Sequence, residues 1–215
     1  MAILVSDPGI YKRFRAPNSA PRPAVFLDRD GVLVEEVGYL HHVEDIALIP
    51  SAPQAIAKLN AAAIPAVVVT NQAGIGRGYY SWREFEIVQS SIETALHPAT
   101  FDGVWACAYH PDGTGDLACD HVFRKPNPGM ILDAAETLGI DLAASWLVGD
   151  KTLDIESAIN AGLAGAILVR TGYGASMEPE LDKLPKTSCR IHVCDHLGDA
   201  VAVILHTSAI MKNRS

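Results

Sequence analysis

The sequence predicts an α/β fold in which a doubly wound parallel sheet is covered by helices on both faces, giving three α/β/α layers. Short, uninterrupted apolar runs, which are typical of strands buried on both faces, alternate with longer segments of helical periodicity. Polar side chains directly follow several of these runs, and in a doubly wound sheet the carboxyl ends of the strands carry the ligand crevice. We therefore expect right-handed βαβ connections and a site at one edge of the sheet.

The composition limits the classes of protein to which the chain can belong. It has 215 residues, 49% hydrophobic and 20% charged, which fits one globular domain. The net charge of −8 argues against a broad surface for polyanions, so we expect no nucleic-acid partner. No apolar run has the length of a membrane span, and the first residues lack the basic lead-in of a signal peptide. With four cysteines and no secretory signal, we expect reduced thiols in a cytoplasmic monomer without a membrane partner.

Proline and polar clusters divide the chain. Residues 1–23 hold four prolines and are predicted to form an irregular N-terminal extension, followed by a single domain over residues 24–215. Within that domain, residues 32–50 are predicted to form a long loop or flap. Residues 107–123 are predicted to form a small loop insert rich in Cys and His.

The regular elements follow from periodicity and from end signals. Apolar runs predict strands at 24–27, 64–70, 103–107, 145–150, 166–170 and 190–194. Helical periodicity predicts helices at about 51–63, 81–96, 128–138, 154–161 and 196–206. Ser81 and Glu84 have the spacing of a capping box, and Gly139 marks a helix end.

The first predicted strand runs straight into two carboxylates, Asp28 and Asp30, followed by Gly31. Residues i and i+2 of an extended backbone point the same way, so both carboxylates would face one spot. Two unpaired carboxylates this close repel each other, and a divalent cation is the natural compensation. The alternative interpretation is a strand end with solvated aspartates.

Three further groups complement this pair: Thr70 at the end of the second predicted strand, Lys125 before a helix and Asp150 at the end of the fourth strand. An aspartate can attack phosphorus and form an acyl phosphate, and a neighbouring carboxyl group can protonate the leaving oxygen and then deprotonate water. Magnesium, lysine and threonine would stabilise the anionic phosphoryl group. These are the parts of a phosphoryl-transfer site.

The stretches that carry these groups resemble, in order and spacing, the four motifs of the haloacid dehalogenase (HAD) superfamily of phosphatases: Asp28-x-Asp30-Gly31-Val32, Thr70, Lys125 and Gly149-Asp150-x-x-x-Asp154. The resemblance implies a Rossmann-like sheet of the HAD type with a small loop insert instead of a large cap domain. It also implies that Asp28 is the nucleophile and Asp30 the general acid/base. Thr70 and Lys125 would bind the transferring phosphoryl group.

The same resemblance implies a magnesium cofactor. Its ligands would be Asp28, Asp150 and, through its backbone carbonyl, Asp30. Asp154 would orient these ligands from a position behind them.

Longer strings, such as residues 69–78 and 124–130, resemble the D-glycero-D-manno-heptose 1,7-bisphosphate 7-phosphatase family, and the related histidinol-phosphate phosphatases share many of them. The resemblance covers roughly residues 24–174. It implies a sugar-phosphate substrate, hydrolysis of the bisphosphate to the 1-phosphate, and a place in carbohydrate metabolism that supplies lipopolysaccharide precursors. It also implies substrate-binding residues, Arg124 among them for the second phosphate or the sugar: Glu36, Gly38, Tyr39, Asn71, Gln72, Ala73, Arg124 and Lys151.

These phosphatases carry a zinc loop, and here its pattern is altered. Cys107 and Cys119 fit, Tyr109 stands at an expected histidine position with His110 beside it, and His121 stands at the last ligand position. Cys107, His110, Cys119 and His121 could make a tetrahedral structural zinc site. The alternative is a loop held by packing, with free thiols.

Other functions remain to be distinguished. A histidinol-phosphate or another small phosphomonoester phosphatase would share the chemistry. A phospho-receiver domain also uses Asp, Thr and Lys, but its acceptor lies on a middle strand, whereas the aspartate pair here follows the first predicted strand. A non-catalytic sugar-phosphate-binding module is the third alternative, and no predicted catalytic position has been replaced to suggest it.

Overall fold

The computed structural model describes residues 2–4, 7–16 and 20–212. Eight strands form one sheet: β1 Ala2–Leu4, β2 Ile10–Phe14, β3 Val25–Leu27, β4 Ala66–Asn71, β5 Gly103–Cys107, β6 Trp146–Gly149, β7 Gly165–Val169 and β8 Arg190–Cys194. The helices are α1 Ala52–Ala61, α2 Ala73–Gly76, α3 Trp82–Leu96, α4 Gly129–Leu138, α5 Thr152–Asn160, α6 Gly174–Met177 and α7 Leu197–Lys212.

The strand order is β1-β2-β5-β4-β3-β6-β7-β8. Within this order, the six neighbouring strands β5, β4, β3, β6, β7 and β8 all pair in parallel. Numbered by their order in the chain, these six parallel strands lie in the order 3-2-1-4-5-6, which is that of a doubly wound sheet. The predicted fold class is confirmed.

The central strand shows why its apolar run is uninterrupted. Val25 and Leu27 pack in one core cluster with Val68, whereas Phe26 packs in the other cluster with Val67. All of these side chains are fully buried because helices cover both faces of the sheet. The strand therefore delivers Asp28 to the carboxyl edge on a rigid support.

The prediction of an irregular N-terminal extension is wrong for residues 10–14. β2 pairs antiparallel with β5, so that Ile10 faces Cys107 and Phe14 faces Gly103 across the ladder. Ile10 and Tyr11 are buried, and covering the edge of β5 satisfies backbone groups that would otherwise be unpaired. β1 adds a further antiparallel strand. Positions 1, 5, 6 and 17–19 of the predicted extension lie outside the described residues.

Two predicted loops lie above the carboxyl edge. Residues 32–50 contain a 3-10 turn at Val43–Asp45 and an isolated antiparallel bridge between Val34 and Leu48. Residues 107–123 contain a 3-10 turn at Gly115–Leu117. The predicted capping box is confirmed at the start of α3, where Ser81 and Glu84 bind each other's backbone N–H groups. None of the helices in the described part of the chain combines the length and the hydrophobicity that a bilayer-spanning segment requires.

Candidate active site

The predicted polar strand ends meet at one edge of the sheet. Asp28 follows β3, Thr70 lies near the end of the neighbouring β4, and Asp150 follows β6 on the other side of β3. This is where the strand order reverses, which is the usual ligand-binding position of a doubly wound sheet. A cavity of about 470 Å³ opens there. Its lining includes most of the predicted site residues: Asp28, Asp30, Glu36, Gly38, Tyr39, Thr70, Asn71, Gln72, Ala73, Arg124, Lys125 and Lys151.

Lys125 connects the carboxylates of this cavity. Its Nζ lies 3.0 Å from Oδ1 of Asp28 and 2.6 Å from Oδ1 of Asp154, and it donates to the carbonyl oxygen of Val69 at 2.9 Å. Burial alone would lower the pKa of Lys125, but the carboxylates of Asp154 and Asp28 outweigh it and raise that pKa. Lys125 is therefore a fixed positive charge beside Asp28, as a group that binds a phosphoryl oxygen must be.

The carboxylate of Asp150 has a hydrogen-bond donor for only one of its two oxygens among the described residues. Oδ2 accepts a hydrogen bond from the backbone N–H of Tyr173 at 2.9 Å, whereas the buried Oδ1 has no partner among the described residues. Burial, together with the charges of Asp28 and Asp154, raises the pKa of Asp150 to about 7. A buried carboxylate oxygen without a donor is suited to a cation.

The ligand atoms of Asp28, Asp150 and Asp154 all lie within 4.8 Å of one another. Carboxylate oxygens are the ligands that magnesium prefers, and a cation here would offset the burial and the carboxylate repulsion that together raise the pKa of Asp150. The residues present therefore fit the predicted magnesium. The structure places Asp154 in this group, whereas the Asp30 side chain forms an ion pair with Arg29 at 3.1 Å.

Two glycines leave room for the Asp150 carboxylate. A Cβ at Gly172 would lie 2.2 Å from Asp150 Oδ2, and one at Gly31 would lie 2.3 Å from the same atom. Both residues have positive φ angles, +57° and +80°. Only glycine meets both the backbone and the space requirement at these positions.

Gly172→Ala is expected to lower kcat/KM about a hundredfold, because the new methyl group displaces the Asp150 carboxylate. Gly78→Ala is the matched control, since Gly78 also has a positive φ (+76°) but nothing within 4 Å of its Cβ position. Both variants carry backbone strain of about 1–2 kcal/mol. Gly172→Ala adds a clash with the Cα of Gly31, 2.7 Å from the new methyl group, so its thermal stability should fall further. Equal activities in the two variants would show that the space at Gly172 is unimportant for Asp150.

Several predicted substrate-binding residues are engaged with the protein itself. The side chain of Asn71 donates to the carbonyl of Lys125 and accepts from its N–H, both at 3.0 Å, and so holds the loop that carries Arg124 and Lys125. Glu36 forms an ion pair of 3.0 Å with Lys151 and accepts from the N–H of Gly38. These contacts place the flap against the end of β6.

The remaining predicted residues lie around the cavity. The Arg124 guanidinium donates a hydrogen bond to the carbonyl oxygen of Tyr109 at 3.2 Å. The Tyr39 hydroxyl accepts a hydrogen bond from Arg77 on the exposed side. Ala73 begins α2, directly after Gln72, whose amide contacts both Asp30 and Thr70.

The structure does not support the predicted zinc site. Among the described residues, no three of the four proposed ligands bring ligand atoms within 4.8 Å of one another: Cys107, His110, Cys119 and His121. Cys107 is fully buried in the apolar core cluster that also holds Ile10 and Trp105. The ring of His121 stacks on Tyr109 at 4.1 Å, so packing accounts for the loop.

The cavity lining also includes residues that sequence reasoning missed, among them Arg29, Tyr80 and Tyr173. Arg29 is 1% exposed although it lies between two aspartates, a position that by itself suggests a solvated strand end. Tyr80 ends the glycine-rich stretch, and a pattern of glycines does not show where the next aromatic side chain points. Tyr173 contributes a backbone N–H, which no residue type reveals.

Asp28 follows the central strand of a 3-2-1-4-5-6 sheet and lies beside the buried Lys125, and the next strand end contributes Asp150 and Asp154. This arrangement defines a phosphatase of the HAD-like class. The family model described as HAD-hydrolase-like matches residues 122–200. A crystal structure from Mesorhizobium loti, described as that of a HAD-like phosphatase, has a TM-score of 0.81 at 38% identity and covers 93% of this chain and 95% of its own.

More specific relatives come from the sequence. A D-glycero-beta-D-manno-heptose-1,7-bisphosphate 7-phosphatase from Mesorhizobium japonicum is 44% identical over 205 residues, covering 93% of this chain and 91% of the relative. The enzyme of that name from Escherichia coli K12 is 39% identical, covering 74% and 84%. The structure of D,D-heptose 1,7-bisphosphate phosphatase from B. bronchiseptica, complexed with magnesium and phosphate, has a TM-score of 0.76 at 30% identity and covers 86% and 99%. The chain belongs to the family of D-glycero-D-manno-heptose 1,7-bisphosphate 7-phosphatases.

Proposed function

We propose that this enzyme hydrolyses D-glycero-D-manno-heptose 1,7-bisphosphate to the 1-phosphate, with an aspartyl phosphate on Asp28 as the intermediate. The observation that carries the proposal is a cavity with two kinds of cationic group. Lys125 lies 3.0 Å from Asp28, while Arg124 and Lys151 line the same cavity outside the buried lysine. A substrate with one phosphate to transfer and a second to hold matches this arrangement. The names of the relatives supply the particular sugar.

The reaction follows from the residues around Asp28. Its carboxylate attacks phosphorus, the bond from phosphorus to the sugar oxygen breaks, and Asp30 donates a proton to that oxygen. Asp30 then takes a proton from a water molecule, which attacks the acyl phosphate and releases inorganic phosphate and free Asp28. Lys125 and the Thr70 hydroxyl stabilise the charged phosphoryl oxygens throughout.

Asp28, Asp150 and Asp154 would hold magnesium, with Asp30 contributing through its backbone. When bound, the ion neutralises charge on the nucleophile and on the phosphate, so that the two anions can approach each other. The magnesium in the related B. bronchiseptica structure supports this choice of metal.

Phosphate release from a substrate panel, measured with magnesium, tests the proposal. The panel contains the heptose bisphosphate in both anomers, histidinol phosphate, fructose 1,6-bisphosphate and an aryl phosphate. We expect the highest kcat/KM for one heptose anomer. Faster turnover of histidinol phosphate would replace the heptose assignment by that of the related phosphatases.

Arg124→Ala is expected to lower kcat/KM on the heptose bisphosphate roughly 10- to 100-fold, because a charge-assisted contact to the second phosphate is lost. Turnover of the aryl phosphate, which has no second phosphate, should change little. Arg83→Ala removes an exposed arginine from α3 and serves as the control. An equal loss on both substrates would argue against a role of Arg124 in selectivity.

A further inference from the structure

The side-chain amide of Gln72 is buried and fully hydrogen-bonded to the protein. Its Nε2 donates to Oγ1 of Thr70 at 2.9 Å and to Oδ2 of Asp30 at 3.3 Å. Its Oε1 accepts from the hydroxyl of Tyr80 at 2.6 Å and from Nη2 of Arg29 at 3.3 Å. A primary amide has two N–H donors and an oxygen with two lone pairs, so these four bonds use its whole capacity. No hydrogen bond is left for a sugar hydroxyl.

The orientation of this amide follows from its neighbours. Arg29 can only donate, because a guanidinium carries no acceptor, so the atom of Gln72 that faces it must be the oxygen. The Tyr80 hydroxyl reinforces this choice by donating to the same oxygen. Arg29 and Tyr80 are 1% and 7% exposed, and the Arg29 guanidinium also lies over the Phe85 ring at 5.2 Å. The two donors are therefore held by packing.

The other end of the amide controls two groups of the proposed reaction. Because Thr70 Oγ1 already accepts a hydrogen bond from Gln72, the hydroxyl's own hydrogen is available to donate to a phosphoryl oxygen. Asp30 is held between Gln72 and the guanidinium of Arg29, which contacts both carboxylate oxygens at 3.1 Å. One amide thus orients both the proposed general acid/base and a phosphoryl-binding hydroxyl.

We infer that Gln72 is a positioning residue for the phosphatase reaction, oriented by Tyr80 and Arg29, rather than a contact to the sugar. The inference rests on the roles of Asp30 and Thr70 in the proposed function. It differs from the prediction made from the family resemblance, which placed Gln72 in the sugar site. It also gives the missed residues Arg29 and Tyr80 a role in the reaction.

The test is Tyr80→Phe, which removes one hydroxyl and keeps the ring. Without that donor the amide is less firmly oriented, and kcat is expected to fall about tenfold on the heptose bisphosphate and on an aryl phosphate alike. KM should stay within about twofold on both substrates, since a group that orients the reacting residues affects the chemical step. Tyr79→Phe is the matched control, because Tyr79 is the adjacent, exposed tyrosine and keeps its ring contact with Tyr39. Equal kcat values in Tyr80→Phe and Tyr79→Phe would overturn the inference.

Gln72→Glu provides a second measurement. Its carboxylate still accepts from Tyr80 and Arg29 but can no longer donate to Asp30 or Thr70, so kcat should fall about a hundredfold on both substrates. A loss confined to the heptose substrate, or expressed only in KM, would return Gln72 to the sugar site and overturn the inference. Wild-type enzyme that hydrolyses the aryl phosphate but not the heptose bisphosphate would instead contradict the proposed substrate. In that case the aryl phosphate still tests the positioning role.

Discussion

Asp28→Asn is expected to abolish phosphate release while the protein stays folded. An amide is a poor nucleophile and cannot form the acyl phosphate, so the loss in kcat should reach about four orders of magnitude or more. Folding should survive because Asn has nearly the same shape and its oxygen can still accept from the Arg29 N–H, which donates to Asp28 at 2.8 Å. Lys125 keeps its contact with Asp154. Phosphate release on the substrate panel and thermal unfolding measure the two effects.

Asp45→Asn is the control for this variant, since Asp45 is an exposed aspartate in the flap. It should behave as the wild type in both measurements. Acid quenching of the wild-type reaction, followed by mass spectrometry, should also find phosphate on the peptide that contains Asp28. Turnover by Asp28→Asn within tenfold of the wild type would refute the nucleophile assignment.

Lys125→Met is expected to remove both activity and stability. The lysine is 3% exposed and lies 3.0 Å from Asp28 and 2.6 Å from Asp154, so its loss leaves buried carboxylates without their compensating cation. Removing one partner of a buried ion pair costs about 3–5 kcal/mol of unfolding free energy. Loss of a charged donor to the phosphoryl group should lower kcat by about a hundredfold or more. Denaturant unfolding without metal measures the first effect and phosphate release the second.

Lys183→Met is the matched control, because Lys183 forms an exposed ion pair with Glu180. Such a pair contributes about 1 kcal/mol or less, and activity should be unchanged. Magnesium should restore part of the stability of Lys125→Met, since the cation would bind the same carboxylates. If the two lysine variants lost equal stability, the central electrostatic role of Lys125 would be wrong.

The six parallel strands and the polar residues at their ends could be predicted because the signals are local. An apolar run such as residues 24–27 defines a strand buried on both faces, and parallel strands present their carboxyl ends at a common edge. Asp28, Thr70 and Asp150 therefore meet as expected. The strand Ile10–Phe14 cannot be predicted in the same way, because the prolines around it indicate irregular structure and its partner, β5, lies about ninety residues further along the chain.

In the Cys/His loop the sequence predicts a feature, a zinc site, that the structure does not support. Four ligand-type residues within a short stretch suggested a metal site, but convergence of their side chains is a matter of distance in space. Burial of Cys107 and stacking of His121 on Tyr109 direct these groups to other partners. Composition alone could not distinguish ligands from packing residues.

The fold class, the family and the edge of the sheet at which the candidate site lies can all be derived from the amino-acid sequence. Periodicity and short motifs are properties of neighbouring residues and can be recognised without coordinates. The partners of the individual side chains, in contrast, are evident only in the folded structure. Gln72 contacts Asp30 and Arg29 across separations of 42 and 43 residues, and Lys125 contacts the Val69 carbonyl across 56. Hydrogen bonding at such separations depends on how the strands pack together, so the orientation of a buried amide or lysine emerges only when the chain has folded.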